Sequence, residues 1–356
     1  MPRLSDDMEI TMTRFLIAAS LLALAATPVL AGDQIRITGS GTVYPFTTTV
    51  AEAFGKATGK KTPVVEATGT GPGINQFCAG VGADTPDFAD ASRAMKKAEL
   101  ETCQKNGVKD VVQMTIGYDG LALTNAKGGP PLAVTKQQLF LAMAKQVPDK
   151  DGKLVDNPNK MWSDIDASLP KVNIVIMSHP ATSGTRASIE DQILKPGAES
   201  IASLKDLEGK DAKAFDVAFK TLRSDGAFVE AGENDNAIVQ KLEADKNSFA
   251  LFGFASVMLN GSKLQAAKLE GETPTMEGIA SGKYKASRLL YVYAKKDHAT
   301  ASPDMVAFIK EYMSPKAIGA DGYLVDKGLI PLPADEYKKQ AASAMALTPL
   351  TADQLK

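Results

Sequence analysis

The chain has 356 residues, 44% of them apolar and 23% charged, with 42 acidic against 40 basic residues and a formal net charge of -2. Such a composition belongs to a folded globular protein with room for two domains, not to a disordered chain or a membrane bundle. The balanced charge excludes the basic surplus of a nucleic-acid binder, so any anion recognition must come from local geometry.

The first segment reads as an export signal. Met12-Thr13-Arg14 is basic, Phe15 to Leu24 is apolar, and Pro28-Val29-Leu30-Ala31 ends on small residues. This order predicts a cleaved signal peptide over 1–31, a mature chain from about Gly32, and a periplasmic location. The apolar run is too short and wrongly flanked for a membrane anchor. No cysteine stands at the cleavage point for a lipid anchor, and Asp6, Asp7 and Glu9 suggest initiation at Met8 or Met12. The only cysteines, Cys78 and Cys103, either join in an oxidising compartment or stay buried as thiols. Joined, they would stabilise the fold by about 3–4 kcal/mol in the chain-entropy model. Two lone cysteines cannot fill a zinc shell and histidine is nearly absent, so no metal and no cofactor is expected.

Short β-rich runs then alternate with helical segments. Strands are predicted at Ile35 to Thr38, 62–67, 108–115, 120–124, Val172 to Ser178, Phe249 to Phe254 and Arg288 to Ala294. Helices are predicted at Thr47 to Thr58, from Gly73, at Thr185 to Leu194, Ala237 to Lys246 and Met305 to Met313. Pro148 to Asn159 and Leu264 to Lys285 read as surface insertions, and Trp162 as a packed or partly exposed aromatic. The alternation predicts an α/β fold with mainly parallel sheets. Strands near 111–124 and 288–295 are placed to cross between two lobes. One lobe would combine 32–115 with 290–356, and the other would cover 116–289.

Three strand-to-helix junctions share one grammar: Thr38-Gly39-Ser40-Gly41-Thr42-Val43, Ala67-Thr68-Gly69-Thr70-Gly71-Pro72-Gly73 and Ala181-Thr182-Ser183-Gly184-Thr185-Arg186. Glycines let the backbone approach a ligand closely. Helix N-termini offer N–H groups and partial positive charge, and the hydroxyls add donors. Each junction alone would be ordinary capping; together they describe a cradle for a tetrahedral oxyanion. None is a P-loop, since no lysine follows the glycines at the required place. Arg93, after Ser92, and Arg186, after Thr185, could add forked contacts to oxyanion oxygens.

With these junctions, Phe77-Cys78-Ala79-Gly80, Ala89-Asp90-Ala91-Ser92-Arg93, Tyr118-Asp119-Gly120-Leu121, Glu233-Asn234-Asp235-Asn236, Phe252-Gly253-Phe254 and Pro331-Leu332-Pro333 follow in order. In this order and spacing the chain resembles the periplasmic phosphate-binding proteins of phosphate ABC transporters, the PstS type, closest to the SphX-like branch. The resemblance implies a type II periplasmic substrate-binding fold: two lobes of mixed sheets flanked by helices, closing over a hinged cleft. It implies capture of inorganic phosphate and delivery to inner-membrane permease subunits, as a monomer and without catalysis. It implies ligand contacts from Thr42, the Val43 amide, Thr70, Ser183, the Gly184 amide and Thr185, with Ser92, Arg93, Arg186 and Asp235 beside them. It also supports a Cys78–Cys103 disulfide.

The chain departs from the best-known branch, which has a proton-accepting Asp at the position of Arg93 and an Arg at the position of His179. The acceptor carboxylate must then come from elsewhere, with Asp119 and Asp235 as candidates. Such an acceptor rejects sulfate, which carries no proton at neutral pH, by an unpaired repulsive contact. The same fold could instead take sulfate, arsenate, molybdate or a phosphonate. A hydrolase using Ser183 and His179 is the rival of another class, but no nucleophile-elbow pattern surrounds Ser183.

Overall fold

The computed structural model describes residues 34–355, so the expected signal peptide lies outside the described residues. The strands are Arg36–Gly39 (β1), Val64–Ala67 (β2), Phe88–Ala91 (β3), Val111–Ala126 (β4), Ile176–Ser178 (β5), Phe228–Glu230 (β6), Phe249–Gly253 (β7), Leu264–Ala266 (β8) and Ser287–Lys295 (β9). They form one sheet of nine strands in the order β2-β1-β3-β9-β4-β7-β5-β6, with β8 added along β4. β1 pairs in parallel with β2 and β3, and β5 with β6 and β7. β9 runs antiparallel to β3 and β4, and β7 and β8 antiparallel to β4. The sheet is therefore mixed rather than mainly parallel, and its antiparallel part is its centre.

The two strands expected at 108–115 and 120–124 are one continuous strand. Gly117 to Gly120, which interrupt the apolar pattern, stay extended because β9 pairs with them from Ser287 to Leu290. Nearly every residue of β4 is buried, as a central strand covered on both faces should be. Leu264 to Lys285 is not a mere surface insertion either. Its Leu264 is buried and pairs with Ala126, and the buried Tyr284 donates its hydroxyl to the Leu121 carbonyl at 2.7 Å. Pro148 to Asn159 closes a small hairpin between Gln146–Pro148 and Leu154–Asp156. Trp162 is buried edge-on against Phe249.

The first helix, Tyr44–Thr58 (α1), carries Pro45 in its first turn and ends on Gly59 in the left-handed region. Its Phe46, Val50 and Phe54 are buried, and Phe54 meets Phe308 edge-on. Thr70–Phe77 (α2) starts three residues before the expected Gly73 and packs on β1 and β3. Lys97–Lys105 (α3) follows, and Cys103 within it is bonded to Cys78 just after α2.

The apolar cores separate along the chain. One gathers side chains between Leu121 and Ala286, joined by Ile330. Two others gather side chains up to Ile116 and from Leu290 onward, with Ala255. β4 and β9 pass from one set of cores to the other, side by side.

Candidate functional site

The three Gly/Ser/Thr junctions each lead into a helix: α1, α2 and Gly184–Ile189 (α4), which continues through a π-turn at Glu190–Leu194. β1 and β2 run with β4 and β5 runs against it, so the C-terminal ends of these strands, and the loops that follow them, face each other near the middle of β4. Ser183 caps α4, its Oγ accepting from the Thr185 N–H at 3.1 Å.

The loops converge. Thr42 Oγ1 and Thr185 Oγ1 stand 3.1 Å apart, and Thr70 Oγ1 and Ser92 Oγ 3.3 Å apart. Gly71 N donates to the Thr182 carbonyl at 3.3 Å, and Ser188 Oγ to the Ser92 carbonyl at 3.1 Å. Gly184 permits this approach. A β-carbon there would collide with Thr70 Oγ1 and stand 2.5 Å from Ser92 Oγ. The Val43 amide leans toward Ser40 Oγ at 3.4 Å, at the start of α1. Four of the expected hydroxyls, those of Thr42, Thr70, Ser92 and Thr185, thus form one buried cluster across chain segments far apart in sequence.

The cation at this cluster stands outside the three junctions and their motifs. Arg288, second residue of β9, is 6% exposed. Its Nη2 donates to Thr42 Oγ1 at 3.0 Å, and its Nε and Nη2 donate to Asp119 Oδ2 at 3.2 and 2.8 Å. Its Nη1 is buried without a hydrogen-bond partner among the described residues. One signal could have found it: it is the charged residue heading an otherwise apolar strand that pairs with the strand of Asp119.

Asp119 is fully buried. Burial pushes its pKa up and Arg288 pulls it back, while Oδ1 accepts from the Ala255 N–H at 3.2 Å. Both oxygens are therefore engaged in holding Arg288 and the start of Phe254–Leu259, and Asp119 acts as the orienter of the guanidinium. Asp235 accepts from His179 Nε2 at 2.9 Å and from Ser256 Oγ. Burial, the largest single influence, works to raise its pKa, but His179, Ser256 and Arg288 together hold the carboxyl below its ordinary value. Asp235 also lines a cavity of about 650 Å³ that opens beside Thr42 and Tyr44.

The two arginines expected at the cradle are turned away from it. Arg93 forks onto Glu99 through Nη1 and Nη2, at 2.9 and 2.6 Å, where Glu99 also caps the start of α3. Arg186 lies over the Phe228 ring, with Nε 3.0 Å from Glu190, Nη1 3.6 Å from Glu230 and Nη2 donating to the Lys220 carbonyl. The cause is local: Glu190 stands one helical turn after Arg186, and burial demands a counter-charge. Ser183 makes no hydrogen bond to His179 among the described residues. Its hydroxyl donates to Glu233 Oε2 at 3.1 Å, so the nucleophile–base pair of a hydrolase is not assembled.

Known proteins resemble this chain in sequence and in fold. Protein SphX of Synechococcus elongatus is 25% identical over 305 residues, covering 84% of this chain and 77% of that protein. The phosphate-binding protein PstS of Staphylococcus haemolyticus is 26% identical, covering 85% of this chain and 82% of its own. The crystal structure of a possible phosphate binding protein from Planctomyces limnophilus superimposes with a TM-score of 0.55 at 25% identity, over 90% of this chain and all of that one. A family model described as a PBP superfamily domain matches residues 25–316. The chain therefore belongs to the PBP superfamily, and its mixed sheet flanked by helices is the α/β fold of the type II periplasmic binding proteins.

Proposed function

We propose that this protein captures inorganic phosphate in the periplasm and hands it to the permease subunits of an ABC transporter. The observation that carries this reading is the unpartnered Nη1 of Arg288, buried beside the hydroxyls of Thr42 and Thr185. A buried guanidinium nitrogen costs free energy unless something accepts from it, and an oxyanion oxygen does so with charge assistance. Thr42, the Val43 amide, Thr70, Ser92, the Gly184 amide and Thr185 would surround the remaining oxygens. Burial of a doubly charged anion demands such a dense set of donors. The relatives named as phosphate-binding proteins favour phosphate among the oxyanions.

Residues 32–115 with 290–356 would form one lobe and 116–289 the other. β4 and β9 would serve as paired hinge strands, and phosphate would shift the population toward the closed form that the permease reads. Calorimetric titration of ligand-stripped residues 32–356 tests the reading. Saturable phosphate binding without sulfate heat supports it. Equal or stronger sulfate binding reassigns the ligand to another oxyanion, and no oxyanion binding defeats it.

A further inference from the structure

Glu233 is a residue to which the sequence assigned no role. It lies just before Asp235–Ala244, in a loop of the chain segment that builds the larger core, yet it reaches all three junctions. Its Oε2 accepts from Ser183 Oγ at 3.1 Å. Its Oε1 would stand 2.7 Å from a β-carbon on Gly69, whose backbone has φ 92°, and its carbonyl oxygen 2.5 Å from a β-carbon on Gly41. Ser183 and Gly69 are the residues immediately before α4 and α2, so the carboxylate sits where two helix N-termini point together.

Its two oxygens differ. Oε2 has the Ser183 proton, while Oε1 is buried without a partner among the described residues. Asp119 and Asp235, the acids expected to accept a ligand proton, have their oxygens committed to Arg288, Ala255, His179 and Ser256. Burial, the largest influence on Glu233, raises its pKa, opposed by His179 and Ser183. His179, Ser183 and Arg288 favour the ionised carboxylate that acceptance of a proton requires, and a second unprotonated anionic oxygen facing it would be repelled.

Resting on the phosphate reading above, we propose that Glu233 is the specificity-determining residue that reads the proton on the bound oxyanion, with Oε1 as the acceptor. A monohydrogen phosphate presents an O–H to Oε1 and satisfies it. A sulfate presents a fully ionised oxygen, leaving two anionic oxygens in contact without a proton between them. The Ser183 hydroxyl, already donated to Oε2, fixes the carboxylate with Oε1 against Gly69, one residue before Thr70. Ser183 is then a positioning residue for the carboxylate rather than a direct donor to the ligand.

The test compares phosphate and sulfate by calorimetric titration in the full mature chain and in Glu233→Gln, with Asp235→Asn and Asp119→Asn as comparisons. Glutamine keeps the shape and presents an amide donor, so the phosphate-to-sulfate affinity ratio should fall by about tenfold or more, with sulfate binding strengthened. Glu233→Ala, which removes the carboxylate from a partly exposed loop without adding a donor, should lower the ratio as well. It also keeps the inference testable if the glutamine variant does not fold. Asp235→Asn should leave the ratio near that of the wild type. A wild-type preference for phosphate that survives both Glu233 variants overturns the role of Glu233 and leaves the phosphate reading intact. Equal binding of the two anions by the wild type also removes the role, since no proton is being read. No phosphate binding by the wild type instead overturns the function on which the role rests.

Discussion

Arg288 and Asp119 face each other directly across the ladder between Ser287–Lys295 and Val111–Ala126, bonded through Nη2 and Oδ2 at 2.8 Å. The side chains are 4% and 0% exposed. An ion pair so buried is costly to break from one side, because the surviving charge loses both water and partner. Its place on two adjacent strands that run between the cores puts charge recognition at the proposed hinge rather than on a mobile loop.

Arg288→Met should remove phosphate binding and lower stability by about 3–5 kcal/mol, since it strands the Asp119 carboxylate. Adding Asp119→Asn to that variant should recover much of the stability but none of the binding. Denaturant unfolding and calorimetric titration of the single and double variants separate the two effects. Binding retained in the folded double variant would remove Arg288 from the site.

Arg186→Met should behave in the opposite way. The guanidinium holds Glu190 and Glu230, whose partner it is, and burial both lowers its own pKa and raises that of Glu190. Stability should drop by about 1–3 kcal/mol, with phosphate affinity within about threefold of wild type. A large affinity loss in a stable variant would return Arg186 to the cradle.

Gly184→Ala tests closure. The added methyl would strike Thr70 Oγ1 and Ser92 Oγ, groups that would belong to the other of the two proposed lobes. An open form has room for it, so the melting temperature should stay within a few degrees of wild type while phosphate affinity falls by about a hundredfold. Unimpaired binding would show that the junctions do not close on the ligand as drawn.

Asp90 sets a pH dependence that owes nothing to ligand. It is fully buried, accepts from Thr47 Oγ1 at 2.9 Å, and burial pushes its pKa up to about 8 despite that bond. The unfolded chain releases this proton near the ordinary aspartate value of about 4. The folded state therefore binds the extra proton between those values, and stability falls as pH rises from about 4 to about 8. Asp90→Asn should abolish that part of the decline. Unfolding titrations at pH 5 and pH 8 should show a smaller loss for the variant, and equal losses would contradict the neutral Asp90.

Some of this protein was legible in its residues alone. The three Gly/Ser/Thr junctions, the helices they open and most strands were readable because capping, turn geometry and apolar period are local properties. The Arg186–Glu190 pair was also within local reach, one helical turn apart, and could have warned that Arg186 was already engaged. What only the tertiary structure decided is who meets whom. Arg288 reaches Asp119 through a strand register spanning 169 residues, and Thr42 reaches Thr185 across 143. Glu233 opens the Glu233-Asn234-Asp235-Asn236 motif, but its carboxylate acquires a task only where two helix N-termini converge on it. A sequence names the donors and acceptors, but pairing between distant segments follows from sheet order and cleft closure, and no local periodicity encodes either.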